Sequence, residues 1–153
     1  MAFPVDGVSI THGIQLAVAP VFLLTAVSGM IGAVAGRLAR IIDRARLVEQ
    51  RAETTTDPER LRRAVAELAE LRQRGRLANL CIALLTSCGL LIGLTIIVLF
   101  LGETTAVQVS RWAVGSFLAG VGCFLAALVC FLAETVIATR LLNFRVLGAS
   151  PPD

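Results

Sequence analysis

Arg37-Leu38-Ala39-Arg40-Ile41-Ile42-Asp43-Arg44-Ala45-Arg46 follows directly on an uncharged run from Ile14 to Gly36. That junction decides the fold. Residues 37–76 hold eleven of the fourteen arginines, while the stretches on either side are almost wholly apolar. A chain so divided belongs in a membrane, and the side that holds the arginines indicates how it lies there.

Two further runs carry no charge, Leu77 to Gly102 and Trp112 to Ala133. A helix needs ~20 apolar residues to cross ~30 Å of hydrocarbon, so all three runs are long enough. Transmembrane helices are therefore predicted over residues 14–36, 77–101 and 112–133. A soluble all-α protein of 153 residues would have too little polar surface to cover three such helices. Mean hydropathy of +0.81 agrees with the membrane reading. The first run is predicted to be retained, because residues 1–16 contain no Lys or Arg and the run exceeds a signal core. No cysteine at either terminus suggests lipidation.

Basic residues in short loops stay on the cytoplasmic side. No arginine precedes the first run and one lies between the second and third. Eleven lie in the central segment, and Arg140 and Arg145 follow the third run. The split of thirteen to one predicts a multi-pass chain with its N-terminus outside and its central segment and C-terminus in the cytoplasm.

The central segment reads as two helices. Leu38, Ile41, Ala45 and Val48 recur at helical spacing until Thr54-Thr55-Thr56-Asp57-Pro58 interrupts. Asp57 suits an N-cap and Pro58 the first helical position, so a new helix starts there. Its stripe is Leu61, Val65, Leu68 and Leu71, with Glu59/Arg63, Arg63/Glu67 and Glu70/Arg74 as i,i+4 pairs. The predicted fold class is all-α: three transmembrane helices, with a cytoplasmic antiparallel helical hairpin over residues 37–76 linking the first two. It forms a single membrane domain.

Eleven arginines against seven acids leave the segment at +4, but the signs alternate and no aromatic residue intervenes. That pattern argues against nucleic acid. Anionic lipid is the expected partner of Arg37, Arg40, Arg44, Arg74 and Arg76, each favoured by about 1 kcal/mol near a charged leaflet. Arginine is used throughout and lysine nowhere; base composition of the genome explains that as well as phosphate or carboxylate recognition does.

Pro20-Val21-Phe22-Leu23-Leu24 and the Arg37–Arg46 stretch resemble the signature of small bacterial membrane proteins grouped as domain of unknown function 2721. Arg76-Leu77-Ala78-Asn79 at the start of the second span is similar to the same family. So is Phe131-Leu132-Ala133-Glu134-Thr135 at the end of the third. The resemblance runs over roughly residues 8 to 145, and the arginine-rich stretch is its specific part. It implies three spans in a bacterial cytoplasmic membrane and no assigned activity.

Candidate chemistry is sparse. Cys81 and Cys88 lie in the second span, Cys123 and Cys130 in the third. A metal could be held only by one cysteine from each helix, Cys81 level with Cys130 or Cys88 with Cys123, because seven residues separate each pair by ~10 Å. Small apolar packing is the commoner role of such cysteines. His12, near Ser9, Thr11 and Gln15, has no carboxylate or cysteine beside it in the sequence. No Ser, His and Asp set, glycine-rich phosphate loop or strand pattern occurs. The expectation is a non-enzymatic protein without metal or cofactor.

Small residues say more. Ser28, Gly32 and Gly36 line one face of the first span, and Gly89 and Gly93 one face of the second. Ser116 with Gly120, and Gly122 with Ala126, do so on the third. Lipid gives no hydrophobic drive between helices, so close approach through small residues supplies much of the packing. The leading reading is a self-assembling or accessory scaffold subunit, either a homo-oligomer or part of a larger membrane complex, with the hairpin as its docking arm. The alternative is an oligomeric channel or small transporter. Its lumen could draw only on Thr25, Ser28, Thr86, Ser87, Thr95 and Ser116, with no charge at any midplane.

Two single residues complete the expectations. Pro20 lies inside the first span, where a missing backbone N–H is predicted to kink the helix. Glu134 lies 22 residues after Trp112, about 33 Å at helical rise, which brings it to the inner boundary. The parallel first span delivers Arg37 and Arg40 to that level, and a carboxylate at the edge of hydrocarbon needs a partner. A structural ion pair of Glu134 with Arg37 or Arg40 is therefore predicted.

Overall fold

A computed structural model describes the backbone of residues 7–105 and 110–147 and the side chains of residues 18–101 and 111–139. The chain forms three helices, α1 (Gly7–Glu53), α2 (Pro58–Thr105) and α3 (Ser110–Leu147). Each contains a stretch long and apolar enough to cross a membrane, within Val18–Glu53, Pro58–Leu101 and Arg111–Thr139. Only 17%, 22% and 11% of the three most apolar windows are buried within the chain. Phe22, Leu90 and Trp112 are more than two-thirds exposed. Side chains this apolar and this open need lipid around them. The protein is a multi-pass membrane protein.

Neither α1 nor α2 breaks where its apolar run meets the arginines. Leu38-Ala39-Arg40-Ile41 contains no glycine or proline, so the hydrogen-bond ladder of α1 continues through it. Pro20 stands within α1 as well, and the helix extends on both sides of it. The four residues 54–57 separate α1 from α2. Thr54 Oγ1 donates to the carbonyls of Gln50 and Arg51, both at 3.2 Å, and Thr55 Oγ1 to that of Arg51 at 2.7 Å. These bonds occupy carbonyls that the end of a helix leaves without partners. On the other side Asp57 Oδ1 accepts the Glu59 amide at 3.0 Å, and Pro58 begins α2 where no N–H is required.

The described residues divide into two compact units, those up to residue 31 with those of 83–126, and those of 32–82 with those from 127 on. In the first, Val27, Leu85, Cys88, Ile92 and Ala113 form the buried apolar set. In the second, the set is Val34, Ile41, Val48, Leu71, Ala78, Cys81 and Ala127. Along α1 the buried positions are Pro20, Val27, Val34, Ile41 and Val48; along α3 they are Ala113, Gly120, Ala127 and Glu134. Both series step by seven residues. That interval keeps one seam of a helix turned towards its partners.

Around the turn the packing differs from the stripe read in the sequence. Ile41, Val48 and Leu71 are buried together, with Ala45, Ala64 and Leu68 against them. Leu61 and Val65 are instead 45% and 59% exposed. Leu68 and Leu71 of the expected stripe do face the cluster, while Ala64 takes the place expected of Leu61 and Val65. Small residues favour the choice: Ala45 and Ala64 both pack against that cluster, and a Cβ on Gly75 would stand in ordinary contact, 3.9 Å from Ile41 Cγ2. Alanine and glycine let two backbones approach more closely than a Leu61/Val65 face would allow.

Candidate functional site

Glu134 is the most deeply buried charged side chain among the described residues, at 3% exposure. It occupies the seven-residue seam of α3, where every other described member is Ala or Gly. Both of its oxygens are engaged. Oε2 accepts from Arg37 Nη2 of α1 at 2.7 Å. Oε1 accepts from Arg74 of α2, from Nη2 at 3.0 Å and Nε at 3.2 Å. One carboxylate thus ties three helices together within the second unit.

Arg37 has further supports. Its Nη1 donates to Thr135 Oγ1 at 2.9 Å, and that hydroxyl donates to the Phe131 carbonyl at 2.9 Å. Its guanidinium carbon lies 4.9 Å from the centroid of the Phe131 ring. A planar cation over an aromatic face, held also by charged and neutral hydrogen bonds, has little freedom left. Positions 131, 134 and 135 share a face of α3 because they are three and four apart. The resemblance noted in Phe131-Leu132-Ala133-Glu134-Thr135 therefore contains the whole α3 contribution to the site.

Of the two arginines expected near Glu134, the structure brings Arg37 to it. Arg40 makes no ion pair or hydrogen bond among the described residues, and its side chain is exposed. Arg74 takes the second oxygen instead. The sequence contained the signal: Arg74 precedes the second apolar run by three residues, as Arg37 follows the first by one. Two turns beyond Arg37 along α1, Arg44 places Nη2 at 2.7 Å and Nε at 2.9 Å from Glu67 Oε1. Arg37, Arg40, Arg44 and Arg74 surround an open cleft of about 540 Å³ floored by Ile41 and Leu71. Arg76 lines a separate cleft with Val65, Leu68 and Arg72.

The glycines of the small-residue faces differ in use. A Cβ on Gly120 would stand 3.0 Å from Ile92 Cδ1 and 3.2 Å from Ile92 Cγ1, so α2 and α3 need that glycine to pack in the first unit. A Cβ on Gly32 or Gly93 would meet nothing within 4 Å. Gly36 and Gly89 would have ordinary contacts, with Arg40 Nη1 at 4.0 Å and Leu24 Cδ2 at 3.9 Å.

Of the residues proposed for a lumen, Ser28 and Thr86 line one open groove in the first unit. Buried Thr95 and half-buried Ser116 are bonded to each other at 2.8 Å. Thr25 and Ser87 donate to the carbonyls of Val21 and Ala83 on their own helices. Cys81, Cys88, Cys123 and Cys130 are free, and Cys81 Sγ donates to the Ala127 carbonyl at 3.3 Å. Among the described residues no group of three or more His, Cys, Asp or Glu stands ready for a metal. The side chains of His12, Ser9, Thr11, Gln15, Arg140 and Arg145 lie outside the described residues.

A family model described as Protein of unknown function (DUF2721) matches residues 17–144. The resemblance read from Pro20–Leu24, Arg37–Arg46, Arg76–Asn79 and Phe131–Thr135 is thereby borne out. No curated protein and no solved structure matches the chain.

Proposed function

The chain belongs to the DUF2721 family, and from that premise we propose that it is a non-catalytic subunit that assembles with copies of itself in a bacterial inner membrane. One observation carries the reading. Gly89, Gly93 and Ser28 lie along an open apolar groove of about 600 Å³ in the first unit, and among the described residues nothing would lie within 4 Å of a Cβ on Gly93. Small residues at such a face admit a second helix backbone at close range, the main source of helix association in lipid. Gly32 on α1 is equally open. Gly120 serves packing within the chain, whereas Gly32 and Gly93 are left for packing between chains.

In this reading the N-terminus is outside, and residues 37–76 form a helical hairpin in the cytoplasm, following the thirteen-to-one arginine split. The Glu134 triad fixes the register at which the hairpin leaves the spans, and the hairpin's outer face is the arm offered to other proteins. Thr95 and Ser116, two of the hydroxyls on which the channel alternative would draw, bond each other instead.

The test is the mass of the full chain in a mild detergent or nanodisc. A multiple of the 16.2 kDa chain mass is expected, with Gly93→Leu shifting the population towards the monomer while helix content is kept. A wild-type monomer recovered in fixed ratio with a larger membrane protein would replace self-assembly by an accessory role. A monomer with no companion would end both.

A further inference from the structure

Four arginines and two carboxylates meet at the cleft between α1 and α2. Glu134 is shared by Arg37 and Arg74, and Glu67 is bonded to Arg44. Arg40 has no partner among the described residues, so two positive charges at the cleft are unmatched. Glu134 and Thr135 hold the guanidinium groups of Arg37 and Arg74 in place and leave each about a quarter exposed. Neither Arg74 Nη1 nor Arg44 Nη1 is used in those bonds, and all five N–H groups of Arg40 are open.

From this arrangement we propose that the Arg37–Arg40–Arg44–Arg74 cleft binds the phosphate headgroup of a doubly charged anionic lipid, with Arg40 as its principal ligand. The charge agrees with a phosphomonoester, which brings up to two negative charges to two unmatched positive ones. The shape agrees as well. A tetrahedral phosphate offers oxygens in several directions and can be reached by guanidinium groups from two helices. The site is pre-organised, because three of its four arginines are already held by carboxylates.

A lipid is favoured over a soluble phosphate by where the residues fall in the chain. Arg37 follows the uncharged run Ile14–Gly36 directly, and Arg74 lies three residues before the run that begins at Leu77. Both runs are of membrane-spanning length, so the arginines stand at headgroup depth.

The experiment is a native mass spectrometry titration of the full chain in neutral detergent. Its three probes are dioleoyl phosphatidic acid, dioleoyl phosphatidylcholine and glycerol 3-phosphate. One phosphatidic acid per chain is expected to bind, at least tenfold more tightly than either of the other two. Arg40→Ala is expected to weaken it about fivefold, the factor for one arginine at an anionic surface. Arg62→Ala, outside the cleft, should bind as wild type does. Because Arg40 makes no described contact, Arg40→Ala should melt where the wild type melts in the absence of lipid. If it does not, Arg40→Lys serves instead, keeping the charge, losing the fork and giving a smaller loss. Equal binding of phosphatidic acid and phosphatidylcholine overturns the proposal, as does unaltered binding by both Arg40 variants. Glycerol 3-phosphate binding as tightly as the intact lipid overturns the lipid source and assigns the cleft to a soluble phosphomonoester.

Discussion

Glu134 Oε2 accepts a hydrogen bond from Arg37 Nη2 at 2.7 Å, which joins the buried seam of α3 to the first charged residue after the apolar run of α1. The other oxygen holds Arg74, so loss of the charge at 134 leaves two guanidinium groups facing each other. Breaking a buried pair costs ~3–5 kcal/mol, and a quarter exposure of each arginine lowers that to about 2 kcal/mol. Glu134→Gln is thus expected to lower the melting midpoint by about 5 °C in nanodiscs. In a double-mutant cycle with Arg37→Gln, the two losses should fall well short of adding. Wild-type melting of Glu134→Gln in both detergent and lipid would mean that the carboxylate is merely solvated.

The two faces of α2 near the turn make a paired prediction. Leu68 packs against Ile41, Val48 and Leu71, while Val65 is 59% exposed. Leu68→Asp puts a charge into that cluster and should cost about 2 kcal/mol, whereas Val65→Asp should stay within about 0.5 kcal/mol. Limited proteolysis at Thr54–Thr56 reads the difference: faster cleavage in Leu68→Asp alone. Equal sensitivity of the two variants would return the packing to the Leu61–Val65 stripe.

Gly120 and Gly32 separate packing inside the chain from packing outside it. A leucine at 120 must displace Ile92, whose Cδ1 already lies 3.0 Å from the Cβ position, and overpacking of this kind costs ~1–3 kcal/mol. Gly120→Leu should therefore lower the melting midpoint of the isolated chain, measured at a dilution where only monomer is present. Gly32→Leu should leave that midpoint in place. A midpoint unmoved by Gly120→Leu would show that the α2–α3 contact is looser than 3.0 Å.

The Thr95–Ser116 hydrogen bond lies among apolar side chains in the first unit. Hydrogen bonds of this kind in membranes average about 0.6 kcal/mol, because each hydroxyl can return to a carbonyl of its own helix. Each has such a carbonyl in reach, Leu91 for Thr95 at 2.8 Å and Ala113 for Ser116 at 3.1 Å, and the hydroxyl that donates across the pair gives its own carbonyl up. Thr95→Val and Ser116→Ala should each destabilise by less than about 1 kcal/mol, with a coupling energy near 0.6 kcal/mol in the cycle. A larger loss of any transport or conductance than of stability would revive the channel reading.

Orientation is tested by reporter fusions at Pro4, Thr55 and Pro151. On the proposed orientation Thr55 and Pro151 are expected to report from the cytoplasm and Pro4 from outside. A periplasmic signal at Thr55 would invert the scheme and move the arginine cleft to the other leaflet.

Three apolar runs, the arginine cluster between the first two, and the turn at Thr54–Asp57 were legible in the sequence because each rests on local chemistry. Hydrocarbon length, loop charge, an Asp N-cap and a Pro at the first helical position depend on residues close together in the chain. Which faces meet was decided only by tertiary structure. In α2, Leu61/Val65 and Ala64/Leu68/Leu71 are both apolar enough to serve, and the choice follows how closely Ala45 and Gly75 let the backbones approach. The same holds for Glu134. Its position at a span end announced a need for a cation, but five arginines lie at comparable depth. Selecting Arg37 and Arg74 required the rotation of all three helices, set by the seven-residue seams that bury Val34, Ala78 and Ala127. Small rotations of a helix change which long side chain can reach a partner, and no single helix carries that information in its own sequence.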